Sequence, residues 1–177
     1  MLYDYKYDNE VRVKIWKNEH PFEKCKVQKK IVKKLQRDYS KTENEREMIL
    51  IVELKLPRNH NNYGMLGFEY RKGGDETNII INVNDYKGEL YEANISVMPD
   101  IVHKGIPEDY VDGIIKSVEG IRKETMKCGT YNFNIGAHGE VGSSQNMFYV
   151  ITNILFRILD VDLIDDSIIN KIILEEI

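Results

Sequence analysis

The chain has 177 residues and a mass of 20.7 kDa, with 42% hydrophobic and 31% charged residues. That make-up predicts one globular domain with a real core and argues against a disordered chain. A formal net charge of -4 argues against a surface that attracts nucleic acid everywhere, and no apolar run reaches bilayer length.

In chain order, Val11, Val13 and Ile15 alternate with Arg12, Lys14 and Trp16, the period of a half-buried strand near 10–17. Pro21 then suits the first turn of a helix, and Phe22, Val27, Ile31, Val32 and Leu35 recur at spacings of three to five. The spacing predicts a basic amphipathic helix over about 22–38, with its lysines above one apolar stripe. Ser40 to Glu47 has no apolar residue and reads as an exposed connection. Met48 to Leu56 reads as a central strand, and Pro57 to Asn62 as a turn. Arg71-Lys72-Gly73-Gly74-Asp75 predicts a hairpin joining strands at 63–70 and 77–83. A further strand is expected around Tyr91 to Val97, making the middle of the chain an antiparallel meander.

Pro107, followed by Glu108 and Asp109 where carboxylates suit the positive end of a helix, opens a helix. Gly113 and Gly120 lie within it, which suggests close packing on a neighbour. Tyr131, Phe133 and Ile135 predict a strand, and Gly136 to Glu140 a loop. Met147, Phe148, Ile151, Ile154, Leu155, Ile158 and Leu159 then trace the apolar face of a long helix. In the acidic, isoleucine-rich tail over 160–177, Asp165 caps a short helix carrying Ile168, Ile169, Ile172 and Ile173, although so many isoleucines also suit an edge strand or a partner surface. The expected fold is α+β, a single domain over 1–177 with a mainly antiparallel sheet and helices packed on one face.

The first residues, Met1-Leu2-Tyr3-Asp4-Tyr5-Lys6, lack the basic start and apolar stretch of a secretory signal. Cys25 and Cys128 are far apart and in no CxxC pairing, which suits a reducing compartment. A cytoplasmic protein without membrane contact is expected. His20, His60 and His103 have no metal-ligand spacing, so neither a metal nor a cofactor is expected. Gly142-Ser143-Ser144 before the long helix reads as a helix cap, and free amides there could also meet an anion. His138, Glu140 and Ser143 invite comparison with a nucleophile and its base, but they share one turn and no GxSxG elbow is present. No catalytic residue is assigned.

Two short stretches carry a family resemblance: Ile106-Pro107 with Asp109-Tyr110, and Val141 with Ser143, Ser144 and Phe148. They resemble the fourth domain of translation elongation factor G, whose patterns are GGxIPxEY and, opening the next helix, GSYHDVDSSExAF. Here His103 and Lys104 replace the paired glycines, Gly142 stands for Asp and Gln145 for Glu. The likeness covers the last third of the chain best and would make 48–159 the core, with 1–47 an added strand and basic helix.

The resemblance implies a left-handed βαβ crossover, against the usual hand, and places His138, Gly139 and Glu140 at the tip that in elongation factor G enters the decoding centre. It implies binding to the ribosome or another structured RNA, with Lys29, Lys30, Lys33, Lys34 and Arg37 meeting phosphates. Galactokinase-type small-molecule kinases share the fold, and their GLGSSA loop resembles Glu140 to Gln145. A kinase would need a chain of about double length, and no lysine or paired acid flanks the loop. The alternative to RNA binding is a non-enzymatic accessory such as an inhibitor, an immunity-type partner or a subunit, meeting a protein through the tail. The oligomeric state is left open.

Overall fold

The computed structural model describes residues 1–7, 10–35, 47–57, 62–96, 100–122, 126–161 and 165–177. Arg37, the connection over 40–46, and most of the turn over 57–62 lie outside the described residues.

Eight strands form one open sheet: β1 (Leu2–Lys6), β2 (Arg12–Lys17), β3 (Lys29–Leu35), β4 (Met48–Lys55), β5 (Tyr63–Lys72), β6 (Thr77–Val83), β7 (Val102–Lys104) and β8 (Gly129–Gly139). Their order is β1-β2-β4-β5-β8-β6-β3, with β7 paired to the far end of β8. Every pairing is antiparallel except that of β6 with β8, so the sheet is mixed. Three helices complete the α+β fold: α1 (Val111–Gly120), entered through a short 3-10 turn at Glu108–Tyr110, α2 (Gln145–Leu159) and α3 (Asp166–Glu176). Among the described residues no helix is long and apolar enough to cross a membrane.

Strand alternation sorts the core into two layers. Val13, Ile15, Leu50, Val52, Leu66, Phe68, Tyr70, Ile79, Ile81, Tyr131 and Phe133 face one way and pack with the buried residues of all three helices. Trp16, Ile51, Tyr63, Met65, Ile135 and Ala137 face the other way, where Tyr91 and Ile95 of the connection between β6 and β7 cover them. The helices therefore occupy one face. Along α2 the apolar spacing is continuous, and the Ser144 hydroxyl accepts from the Met147 amide at 3.3 Å to cap it. Gly113 lets α1 approach α2, because a Cβ there would collide with the Gln145 carbonyl oxygen. At α3 the Asp165 carboxylate accepts from the Ser167 amide at 2.8 Å, and Ile169, Ile172 and Ile173 turn inward.

Four expectations fail here. The basic helix over 22–38 is instead a crossing segment, 18–28, followed by strand β3, whose seven residues pair in unbroken register with β6. Ile31, Lys33 and Leu35 are its less exposed residues and alternate with exposed ones, a strand's period of two. The strands β5 and β6 do not form a hairpin: β8 lies between them, antiparallel to β5 and parallel to β6. Residues 91–96 form no strand, having only an isolated bridge from Leu90 to His103 beside them. Finally, β8 runs through the expected loop to Gly139. A register shift opposite Gly67 and Phe68 leaves Asn134 as an extra residue, so Phe133 faces the helices while Ile135 faces away.

Candidate functional site

Most of the residues that the sequence singles out near α2 converge at the far end of β8, around a side chain that it did not point to. The carboxylate of Asp100 accepts from the Val141 amide at 3.0 Å and the Gly142 amide at 2.9 Å. Gly139 and Gly142 both admit it, since a Cβ at either position would strike Asp100 Oδ2. The Gly139 amide donates to Ser143 Oγ at 2.9 Å, and that hydroxyl donates to the Tyr63 carbonyl at 2.7 Å. The turn expected to meet an anion therefore holds a carboxylate of its own chain, and Ser143 is committed to the backbone.

The two histidines here differ sharply. His103 is almost wholly buried; its Nδ1 lies 2.9 Å from the Gly88 carbonyl and its Nε2 2.9 Å from Glu140 Oε1. Both partners are acceptors, so the ring is fixed between them by its N–H groups. His138, expected at an exposed tip, is fully buried in a strand, with ring centroids 4.7 Å from Tyr86, 5.7 Å from Tyr110 and 5.8 Å from His103. Neither of its ring nitrogens has a well-formed hydrogen bond. Burial pushes its pKa down to about 4, although the backbone of Gly105 and Tyr86 favours the proton. Gly139 is buried too. Neither residue presents itself to a macromolecule as an RNA contact, and Glu140 pairs with His103 rather than acting with His138 and Ser143.

The face away from the helices has two halves. One lies under the connection between β6 and β7 and contains Glu53, which is fully buried. Its Oε1 accepts from Tyr63 Oη at 2.8 Å and from the Ile95 amide at 3.1 Å, while Oε2 has no hydrogen bond and Lys14 Nζ stands 4.0 Å away. Burial pushes its pKa up to about 7 against these partners. The segment 18–28 borders this half: Phe22 packs on Tyr91 at 5.0 Å, Lys24 pairs with Glu69, and the Lys26 carbonyl accepts from Asn84 Nδ2 at 2.9 Å.

The other half carries no helix. There Lys30, Val32 and Lys34 of β3 lie opposite Asn82, Ile80 and Asn78 of β6, and Ile80 in turn lies opposite Asn132 of β8. Asn82 Nδ2 donates to Asn132 Oδ1 at 2.8 Å, whereas Asn82 Oδ1 and both amide atoms of Asn134 lack well-formed hydrogen bonds. The lysines of β3 are unequal. Lys29 pairs with Glu108 at 2.5 Å and Lys33 pairs with Glu119, while Lys34 stands 3.4 Å from Glu76. Lys30 has no ion-pair partner among the described residues.

Asp100 and Glu53 escaped sequence reasoning because nothing in their neighbourhoods marks them. The one legible hint at Asp100 was the pair Gly139 and Gly142, too many glycines for a simple cap. Among the described residues no group of three His, Cys, Asp or Glu side chains could hold a metal ion. No protein-family model matches the chain, no curated protein matches it, and no solved structure matches it.

Proposed function

We propose that the chain is a non-enzymatic accessory protein that binds a protein partner, in the reducing cytoplasm that its two widely separated cysteines suit. The observation that carries this reading is β3, the last strand of an open sheet, whose outer backbone edge pairs with no other strand among the described residues. Such an edge is a ready template for another chain. The polar side chains at the end of β8 support a binding role rather than chemistry: Ser143, Asp100 and His103 are each held by at least two partners of their own chain. Affinity purification from native lysate, with and without ribonuclease, tests it. A protein that copurifies after ribonuclease treatment and persists at high salt is the expected result; material lost to ribonuclease sinks the reading.

A second reading, RNA or ribosome binding, is favoured by the amide-rich open half, where Lys30 and Lys34 flank Asn78 and Asn82. It predicts retention that falls steeply with salt. Kinship with the fourth domain of elongation factor G belongs with this reading. Two features support it: Ile106-Pro107 leads into α1 and Ser143-Ser144 into α2, and β6 and β8 are parallel neighbours joined through α1, where the family has its left-handed crossover.

A further inference from the structure

We infer that β3 receives an extended acidic segment of the partner as an added strand, whose acid-apolar-acid face matches Lys30, Val32 and Lys34. The inference rests on the accessory reading and names the chemistry of its partner. Three observations carry it. The register of β3 with β6 is unbroken over Lys29 to Leu35, so no bulge twists the outer edge away. Val32 is 59% exposed between two exposed lysines on the helix-free side, giving one apolar step in a cationic ladder. On the opposite side, Lys29 and Lys33 are matched by Glu108 and Glu119 of the same chain. The uncompensated charge of the strand therefore lies with Lys30, which is unpaired among the described residues, while Lys34 adds an exposed ammonium that shares Glu76 at 3.4 Å.

Lysines on an edge strand ordinarily deter pairing. The deterrent here is selective. A second copy laid antiparallel on β3 would bring lysines opposite lysines, and like charges directly across a ladder destabilise it. An incoming strand with carboxylates at every fourth position and an apolar residue between them turns the same repulsion into attraction while its backbone fills the open ladder. The other sheet edge offers no such bias: on β1, Asp4 is already paired with Arg12 at 2.8 Å and Lys6 is the lone cation.

The test uses the full chain and a seven-residue synthetic peptide with Glu at its second and sixth positions, Val at its fourth and Thr elsewhere. Controls are the same peptide with Lys for Glu, and the Glu peptide N-methylated at alternate residues. Binding is read by fluorescence anisotropy and by hydrogen exchange of the β3 amides. The Glu peptide should bind about tenfold more tightly than the Lys peptide and slow exchange along β3. The double variant Lys30→Glu, Lys34→Glu, whose sites are exposed and outside the core, should reverse the preference. N-methylation should abolish binding.

Equal binding of the N-methylated peptide means ionic contact without strand addition and overturns the inference. Protection of β3 that grows with protein concentration and no peptide identifies a second copy as the occupant, and overturns it as well. If a ribonuclease-resistant partner is captured equally by the double variant and no peptide protects β3, the inference fails while the accessory reading stands. Competition of the Glu peptide by RNA oligonucleotides, with no protein captured, defeats both.

Discussion

On the helix-covered face, Phe68 meets Tyr131, Phe133 and Phe156 at centroid distances of 5.3, 5.4 and 5.4 Å, whereas the next residue along β5, Glu69, sits on the other face among Lys24, His20 and Arg71. One strand thus serves two environments. The first is mostly apolar, with His138 as its unmatched polar exception, and is held by aromatic packing, which tolerates little loss of volume. The second buries Glu53, Asn82 and Asn134 with some of their polar atoms unmatched, which is costly for folding alone. The difference teaches that most of the packing stability resides on the helix side, and that, His138 apart, the polar groups which folding by itself does not call for lie on the other face.

The comparison breaks most visibly at Phe156, fully buried in α2. Phe156→Ala removes the ring that three aromatic residues surround, and a cavity of that kind costs about 3–5 kcal/mol. Urea unfolding should show that loss, while no substitution of an exposed open-half side chain such as Lys30→Ala should exceed about 0.5 kcal/mol. Comparable costs at the two sites would refute the division.

A buried acid on one face and a buried base on the other give the next effect. Glu53, pushed to about 7 by burial from an ordinary 4.5, keeps a proton in the folded chain that the unfolded chain releases. Its contribution to stability therefore falls as pH rises from about 4.5 to 7 and then levels off. His138, pushed down to about 4 from 6.5, refuses a proton that the unfolded chain accepts. Its contribution is intact above about pH 6.5 and is lost as pH falls toward 4. Each shift is worth about 3 kcal/mol, and over the shared window the two oppose each other. Relative to the wild type, Glu53→Gln should gain stability as pH rises through that window, and His138→Phe should gain it as pH falls. Unfolding free energies that run parallel to the wild type at every pH would refute both assignments.

What could be read from the sequence follows the same division. The regular period of β2 and β4, the apolar face of α2 and the Asp165 cap of α3 are local signals, and each element stands where the residues put it. The stretch Lys29 to Leu35, KKIVKKL, misled because its paired blocks fit a period of two as well as of 3.6; only the pairing with β6 decides between them. The insertion of β8 between β5 and β6 joins residues 52 to 72 positions apart in sequence and leaves no local trace. His138 looked like loop because Gly136 and Gly139 flank it. Those glycines in fact admit Ile106 and the Asp100 carboxylate to a continuous strand. Composition marks a close backbone approach and a flexible turn in the same way, so the residues alone could not separate them.

The smaller effects probe whether the turn before α2 is held by Asp100 or by its serine cap. Asp100→Asn keeps the shape but sets an amide group against one of two backbone donors, Val141 or Gly142. Leaving one such donor unmatched costs about 1–2 kcal/mol. Ser144→Ala removes the single bond to the Met147 amide, at 3.3 Å a long one, and should cost about 1 kcal/mol or less. The two side chains satisfy different amides of the same turn and are close enough to couple, so thermal melts of the double variant measure how far their costs depart from additivity. A double-variant cost well below the sum would mean that Asp100 and Ser144 hold one structure between them, with the turn already released once either is lost. In either case a Cβ at position 142 would strike Asp100 Oδ2, so Gly142→Ala should lower the melting temperature about as far as Asp100→Asn does.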